Sequence, residues 1–440
     1  VKFKQETEFQ ETEIGKIPRG WKVVYLSELF EFHRGLSYRK NNLSPTKTSI
    51  RFVTINDLKK EGGWKRERET AYLSEGFKDK IEKKHVLKVG DLLIAITDMG
   101  KGFIIGAPLY INEDIRSQGE TLVYSMDLVK LQPKKQVNTL FYFYQLSWSK
   151  IREIMKSLAR GTNVLHLDLN LAQRIKLVEP PLNEQVRIAE ILSTVDRAIE
   201  VVDAGVARLE GLKKALMREL LTGRIRVREE NGKTVFYREI EFQETEIGKI
   251  PKEWRIVKLN RIAQIIMGQS PPSETYNKDG IGMPFLQGKM EFGRIYPSPV
   301  MYTSDPIKIA EANDVLISVR APVGDVNIAP YKICIGRGLA AIRFDPNQAN
   351  YMFFFYYFQS IKERLETIGK GSTFKAITKK DLEELTVLNP SLKEQKLIGE
   401  ILSTVDRTIE LYYEERTRLD RLKRGLMDLL LTGRVRVVEE

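Results

Sequence analysis

Two stretches of the chain carry apolar residues recurring mostly at steps of three and four. In the first these are Ile188, Leu192, Val195, Ile199, Val202, Val206, Leu209, Leu212, Leu216 and Leu220. In the second they are Ile398, Leu402, Val405, Ile409, Tyr412, Leu419, Leu422, Leu426 and Leu430. That spacing lays one apolar stripe along one face of a helix. Asn183 and Glu184, after Pro181, occupy first-turn positions, and Gly223 and Gly433 stand where each helix should stop. The pattern predicts two helices of roughly 40 residues, about 60 Å long each. A stripe so narrow and so long needs a second helix along its length, so the two are expected to pack together as a coiled coil. The alternative is a helix lying on its own domain.

The rest of the chain reads as mixed strands and turns, and much of it is written twice. Glu11 to Pro18 returns verbatim as Glu244 to Pro251, each followed three residues later by a tryptophan, Trp21 or Trp254. Ile191 to Arg197 returns as Ile401 to Arg407, and Leu220 to Arg224 as Leu430 to Arg434. The first pair is offset by about 233 positions and the others by about 210, so the variable stretches between them differ by about 23 residues. Each half holds a polar lead-in, a variable region, an aromatic segment (Leu140 to Trp148; Asn350 to Phe358), a Gly-containing turn (Arg160 to Asn163; Lys370 to Thr373), an apolar strand ending in proline and a long helix. The fold class expected is α+β: two mixed α/β globular domains at residues 1–178 and 244–388, spacer helices at 179–223 and 389–433, a linker or hairpin at 224–243 around Asn231-Gly232, and a tail at 434–440. The tail would run naturally back into the N-terminal lead-in, so the architecture is close to cyclic.

Composition narrows the chemistry. The 440 residues carry a formal net charge of +12, a surplus that suits an acidic polymer. One cysteine, Cys334, allows no internal disulfide, and His33, His85 and His166 are far apart in sequence, so neither a cysteine zinc site nor a histidine-rich metal centre is expected. No cofactor is expected. The N-terminal stretch is charged rather than apolar, and Tyr351 to Phe358 is too short to span a bilayer. The chain reads as cytoplasmic.

Helices and lead-ins kept the same twice suit one kind of partner, or one helix contact, met twice. Variable regions allowed to diverge suit two different ligands. Two unlike heads on a rigid spacer suit a duplex with two half-sites, which read from one side lie about one turn apart, near 34–36 Å. Candidate readers in the first half are Arg34, Tyr38, Arg39, Lys40, Lys59, Lys60, Trp64, Lys65, Arg66 and Arg68. In the second half they are Gln269, Ser270, Tyr276, Lys278, Gln287, Lys289, Arg294 and Arg320. Arg and Lys reach guanine edges, Gln reaches adenine, and either cation holds phosphate. Glu190, Asp196, Arg197, Glu400, Asp406 and Arg407, off the apolar stripe, are candidate partner contacts; a solvated helix face is the alternative. The aromatic segments could stack bases but read better as domain core.

Catalytic signatures are missing. Glu179 to Leu182 lacks the aromatic residue of an amino-methyltransferase tetrapeptide. Lys370 to Ser372 lacks the upstream glycine of a phosphate loop. Asp79, Glu82 and Lys84 are spaced too tightly for a nuclease metal site, and Gly336 to Gly338 reads as a turn before a strand.

The residues resemble one family throughout: the specificity subunits of type I restriction–modification systems. The resemblance rests on the Gly-Lys-Ile-Pro…Trp lead-ins, on Asp314 to Asp325, on Gly336 to Leu339, and on Pro-x-Leu-x-Glu-Gln before Ile-Leu-Ser-Thr-Val-Asp. In the first half Gly90 to Asp98 replaces the Arg-Ala-Pro run. The resemblance implies a pseudo-twofold molecule of two antiparallel spacer helices with a target recognition domain at either end, and no catalytic centre in this subunit. It also implies two modification (methyltransferase) subunits as partners, double-stranded DNA with a bipartite site as ligand, and restriction subunits that join them. A coiled-coil adaptor without nucleic acid, or an enzyme fusing recognition with DNA modification or cleavage, are the other readings open at this point.

Overall fold

The computed structural model describes residues 2–65, 71–100, 102–115, 120–369 and 376–438. They fall into two units, Val1–Val201 with Arg416–Glu440, and Val202–Glu415. Both long helices form. Helix α1 spans Leu182–Leu220 and α2 spans Leu392–Leu430, 39 residues each.

Within each unit the segments of α1 and α2 pack antiparallel. In the first unit Ile188, Ala189 and Leu192 share a core with Leu426, Met427 and Leu430, while Asp196 pairs with Lys423. In the second, Gly205 faces the ring of Tyr412 and Lys213 pairs with Asp406. A Cβ on Gly205 would lie 2.2 Å from Tyr412 Cε1, so only glycine lets that ring lie against the helix. The stripe is buried at Ile188, Leu192, Val195, Ile199, Val206 and Leu220, and at Ile398, Leu402, Ile409 and Leu430. Leu212 and Leu422 depart from expectation, being about half exposed at 48% and 50%. They occupy equivalent places in the repeat, where steps of three and four drift away from the 3.6-residue turn.

Each head is built on an antiparallel four-stranded sheet. In the first its order is Pro108–Tyr110, Leu92–Ala95, Leu128–Pro133, Phe30–Arg34; in the second, Ala263–Met267, Leu339–Phe344, Val315–Ser318, Val326–Ile328. A second sheet in each head contains one parallel pair, Thr121–Tyr124 with Ile50–Val53 and Met283–Leu286 with Ile333–Ile335. The aromatic segments are short helices, Thr139–Ser147 and Tyr351–Ser360, capped by Asn138 and Asn350. Phe141, Tyr142 and Tyr144 are buried, as are all six residues from Phe353 to Phe358. They are core, and none is placed as a platform for bases.

The repeated lead-ins form hairpins, Phe9–Thr12 with Gly15–Pro18 and Phe242–Thr245 with Gly248–Pro251. Their tryptophans are buried beneath the stops of the long helices. A Cβ on Gly223 would meet Pro251 Cγ at 2.3 Å, and one on Gly433 would meet Pro18 Cγ at 2.4 Å; both glycines have positive φ. After each stop the chain forms a ribbon: Ile225–Glu230 pairs with Lys233–Arg238 across Asn231-Gly232, and Val435–Val438 pairs with Lys2–Gln5. An arginine on each ribbon reaches the first turn of a long helix. Arg226 Nε lies 2.8 Å from Glu394 Oε1, and Arg436 Nε lies 2.7 Å from Glu184 Oε1. The same carboxylates accept from Trp254 and Trp21 Nε1–H, each at 3.0 Å. Sequence spacing identified Glu184 only as a first-turn residue, because its arginine comes from 252 positions away.

Candidate nucleic-acid interface

The ladders make the two heads comparable position by position. Arg34 pairs with Val129 in the first, and Met267 with Ala340 in the second. Just beyond those pairs, at the ends of the strands, four chain segments cross in the same way in both units.

In the second unit Gln269 N–H donates to the Ile335 carbonyl at 3.0 Å, Gly336 N–H to Leu286 at 2.8 Å, and Val319 N–H to Gly338 at 2.9 Å. In the first, Leu36 N–H donates to Tyr124 at 2.8 Å, Ser125 N–H to Val53 at 2.9 Å, and Ile96 N–H to Asp127 at 2.8 Å. Each crossing is extended by one more bond, Ile377 N–H to Val319 and Leu167 N–H to Ile96. The backbones approach too closely for a side chain at the centre. A Cβ on Gly268 would lie 2.1 Å from the Gly336 carbonyl oxygen, and one on Gly35 would lie 2.3 Å from that of Ser125. The crossings are therefore rigid frames of main-chain hydrogen bonds on which exposed side chains stand.

What stands on the frames differs. In the second unit Gln269, Gln287, Arg320 and Arg337 are all exposed. Ser270 holds the frame from the side, its hydroxyl accepting Arg337 N–H at 3.3 Å. Three of these four side chains were legible as candidate readers; Arg337 was not, because Gly336 to Gly338 reads locally as a turn before a strand. In the first unit the equivalent places hold Leu36, Thr54, Thr97 and Met126, and the first three are buried.

The other candidates of the first unit divide. Arg34 ends its strand, and Arg39 and Lys40 lead exposed into the 3₁₀ turn Lys40–Asn42. Tyr38 leans edge-on against Phe52, ring centroids 4.8 Å apart, and burial pushes its phenol up, with Asp127 adding to the shift. Lys59, Lys60, Trp64 and Lys65 belong to a separate turn, where Lys59 N–H bonds the Gly63 carbonyl and Lys65 N–H that of Asp57. Trp64 packs against the core with Arg51 over its ring, so it is an anchor rather than a free surface ring. Lys60 Nζ lies 4.9 Å from the Phe103 ring. Arg66 and Arg68 lie outside the described residues.

In the second unit Tyr276 packs on Phe285 and donates its hydroxyl to the Pro271 carbonyl at 2.9 Å, whereas Lys278 is exposed in the following turn. Two basic candidates are held in ion pairs. Lys289 is ion-paired to Asp325, which Lys362 also holds at 2.5 Å. Burial works against the Asp325 carboxylate, but the two ammonium groups hold it below its ordinary range. Arg294 is turned toward the helices, 3.5 Å from Asp406, 3.3 Å from Glu210 and stacked over Tyr413. Each of these cations thus has a carboxylate beside it.

Two of the six helix residues, Asp196 and Asp406, are engaged within their own units. Asp406 is fully buried and Asp196 half-buried. Each accepts a tyrosine hydroxyl at 2.8 Å, from Tyr356 and Tyr144, and pairs with a lysine of the opposite helix. Only Glu190, Arg197, Glu400 and Arg407 are exposed. Among the described residues no group of three His, Cys, Asp or Glu gathers at metal-binding spacing, and no helix is long and apolar enough to cross a membrane.

Two long repeated helices, each ending in a clasped ribbon, and two heads sharing one frame define a chain of duplicated recognition modules. Comparison with known proteins agrees. The family model for the type I restriction modification DNA specificity domain matches residues 18–209 and again 251–423. The chain belongs to that family, as a type I restriction–modification specificity subunit. It is 39% identical to the putative type I restriction enzyme MjaX specificity subunit of Methanocaldococcus jannaschii, over 99% of both chains. Among solved structures, a chain from a study of complex assembly and conformational transition of the type I R-M system aligns at 28% identity, over 95% of this chain and 99% of that one, with a TM-score of 0.53. The S subunit of a type I system from M. genitalium shares the fold at 15% identity, over 93% and 96%, with a TM-score of 0.63.

Proposed function

We propose that this chain is a non-catalytic reader of a bipartite DNA site and the scaffold on which two modification subunits assemble, with restriction subunits joining them. The observation that carries this is a frame kept the same twice bearing side chains that differ. The crossing bonds recur one for one, whereas Gln269, Gln287, Arg320 and Arg337 take the places that Leu36, Thr54, Thr97 and Met126 hold in the first unit. A frame that recurs while its outward groups change suits one docking geometry on two unlike half-sites. The net charge of +12 suits a polyanion. The methyl-transfer chemistry, with its cofactor, belongs to the modification subunits. Glu190 and Arg197 on α1, with Glu400 and Arg407 on α2, are exposed and identical in the two helices, which suits one kind of partner bound twice.

The test is selection from a pool of random duplexes by the full chain, alone and with its modification partner, at stated salt. A split motif with a fixed unspecified gap is the expected result. A contiguous motif, or no enrichment under either condition, overturns the proposal and favours an adaptor. DNA cleavage or cofactor binding by the purified chain would mark it as a fused enzyme.

A further inference from the structure

We propose that Arg337 is a base-reading residue of the second unit and that its target is a guanine edge in the major groove. The proposal rests on the reading of the chain as a two-headed DNA reader and assigns one of its determinants.

Arg337 stands at the centre of the crossing, between Gly336 and Gly338. A Cβ on Gly336 would lie 3.0 Å from Gln287 Cα, and one on Gly338 would lie 2.9 Å from the Gln287 carbonyl oxygen. Neighbouring segments thus press on both glycines, and Arg337 carries the side chain that projects between them. Its own main chain is fixed, because its N–H donates to Ser270 Oγ. Its guanidinium has neither a hydrogen bond nor an ion pair among the described residues, and the residue is exposed. It is a rigidly based, unspent arginine among Gln269, Gln287 and Arg320, groups that can also bond base edges.

A phosphate contact is set against a base contact by the other unit. The sugar-phosphate backbone is the same in both half-sites, so an arginine serving phosphate should recur where the frame recurs. The register places Met126 at this position in the first unit, 45% exposed and without charge. The position therefore tracks what differs between half-sites, which is the bases. Arginine presents two parallel N–H donors that match guanine O6 and N7, whereas methionine offers only apolar contact.

The experiment compares the wild type with R337A, R337K and R337M in the full chain with its modification partner, by selection from random duplexes at two salt concentrations. All three variants should lose the preference for guanine at one position of one half-site, by about ten- to a hundredfold in relative binding. R337K should do so while keeping the salt dependence, since it retains charge but not the planar fork. The other half-site and the gap should stay unchanged, an internal control for folding. Uniform weakening across all sequences, with a salt slope smaller by about one, would make the residue a phosphate contact and overturn the proposal. An unchanged motif would overturn it too. If the wild type itself selects no split motif, the reading of the chain as a bipartite reader falls first, and this proposal with it.

Discussion

The hydroxyl of Tyr356 donates a 2.8 Å hydrogen bond to Oδ2 of Asp406, and that carboxylate also takes the Lys213 ammonium at 2.6 Å. Tyr356 belongs to the core helix of a recognition head, Asp406 to α2 and Lys213 to α1, so one buried carboxylate ties the head to both helices of its unit. Tyr144, Asp196 and Lys423 repeat the arrangement in the first unit. D406A should cost the second unit about 3–5 kcal/mol, because it strands an ammonium with little water near it. Y356F should cost less, about 1–3 kcal/mol, since the lysine remains paired. Denaturant unfolding of the two variants checks the order, and equal losses would count against it.

Arg226 and Arg436 clip their ribbons to the first turn of α2 and α1 respectively, but the ribbons are closed differently. Lys233–Arg238 is joined to its partner through Asn231-Gly232, whereas Lys2–Gln5 meets Val435–Val438 from far away in sequence. R436A should therefore release amide protection along Lys2–Gln5 and Val435–Val438, with the loop-closure entropy unopposed. R226A should leave its ribbon paired while weakening its hold on Glu394. Hydrogen exchange resolved by peptide distinguishes the two.

His85 lies in the first unit, where burial lowers its pKa below the ordinary 6.5. Its Nδ1 accepts the Glu82 N–H at 3.2 Å, so a proton there would face another proton. The unfolded chain takes up that proton first, and the stability of the first unit should fall as pH drops below about 6.5. H85Q should flatten this part of the pH profile, read by thermal unfolding between about pH 7 and 5.

G268A should damage the second recognition head without touching a base-reading group. The added methyl would meet the Gly336 carbonyl oxygen at 2.1 Å, backbone against backbone, so the crossing must open. A stability loss of about 1–3 kcal/mol is expected. Selection should lose one half-site and keep the other.

Replacing Arg39 and Lys40 together by alanine should act on the first unit alone. Both are exposed on the loop leaving the strand Phe30–Arg34. Each lost phosphate contact should lower the salt slope by about one. A change in the half-site read by the second unit would contradict independent heads.

The sequence by itself determined the duplication, the two long helices with their stops at Gly223 and Gly433, and the core role of Phe141 to Tyr144 and Phe353 to Tyr356. These are local or repeated signals: periodicity, caps, and exact recurrence. Gln269, Gln287 and Arg320 were also legible as exposed polar groups in variable stretches. Only the tertiary structure decided which of them meet. It placed Arg337 among them, and it turned Asp406, Asp196, Lys289 and Arg294 inward onto partners from distant parts of the chain. The reason is physical: a crossing of four segments depends on strand register and on hydrogen bonds between residues scores of positions apart. A charged side chain is free or spent according to what that crossing brings beside it, and helical periodicity or composition carries no record of such neighbours.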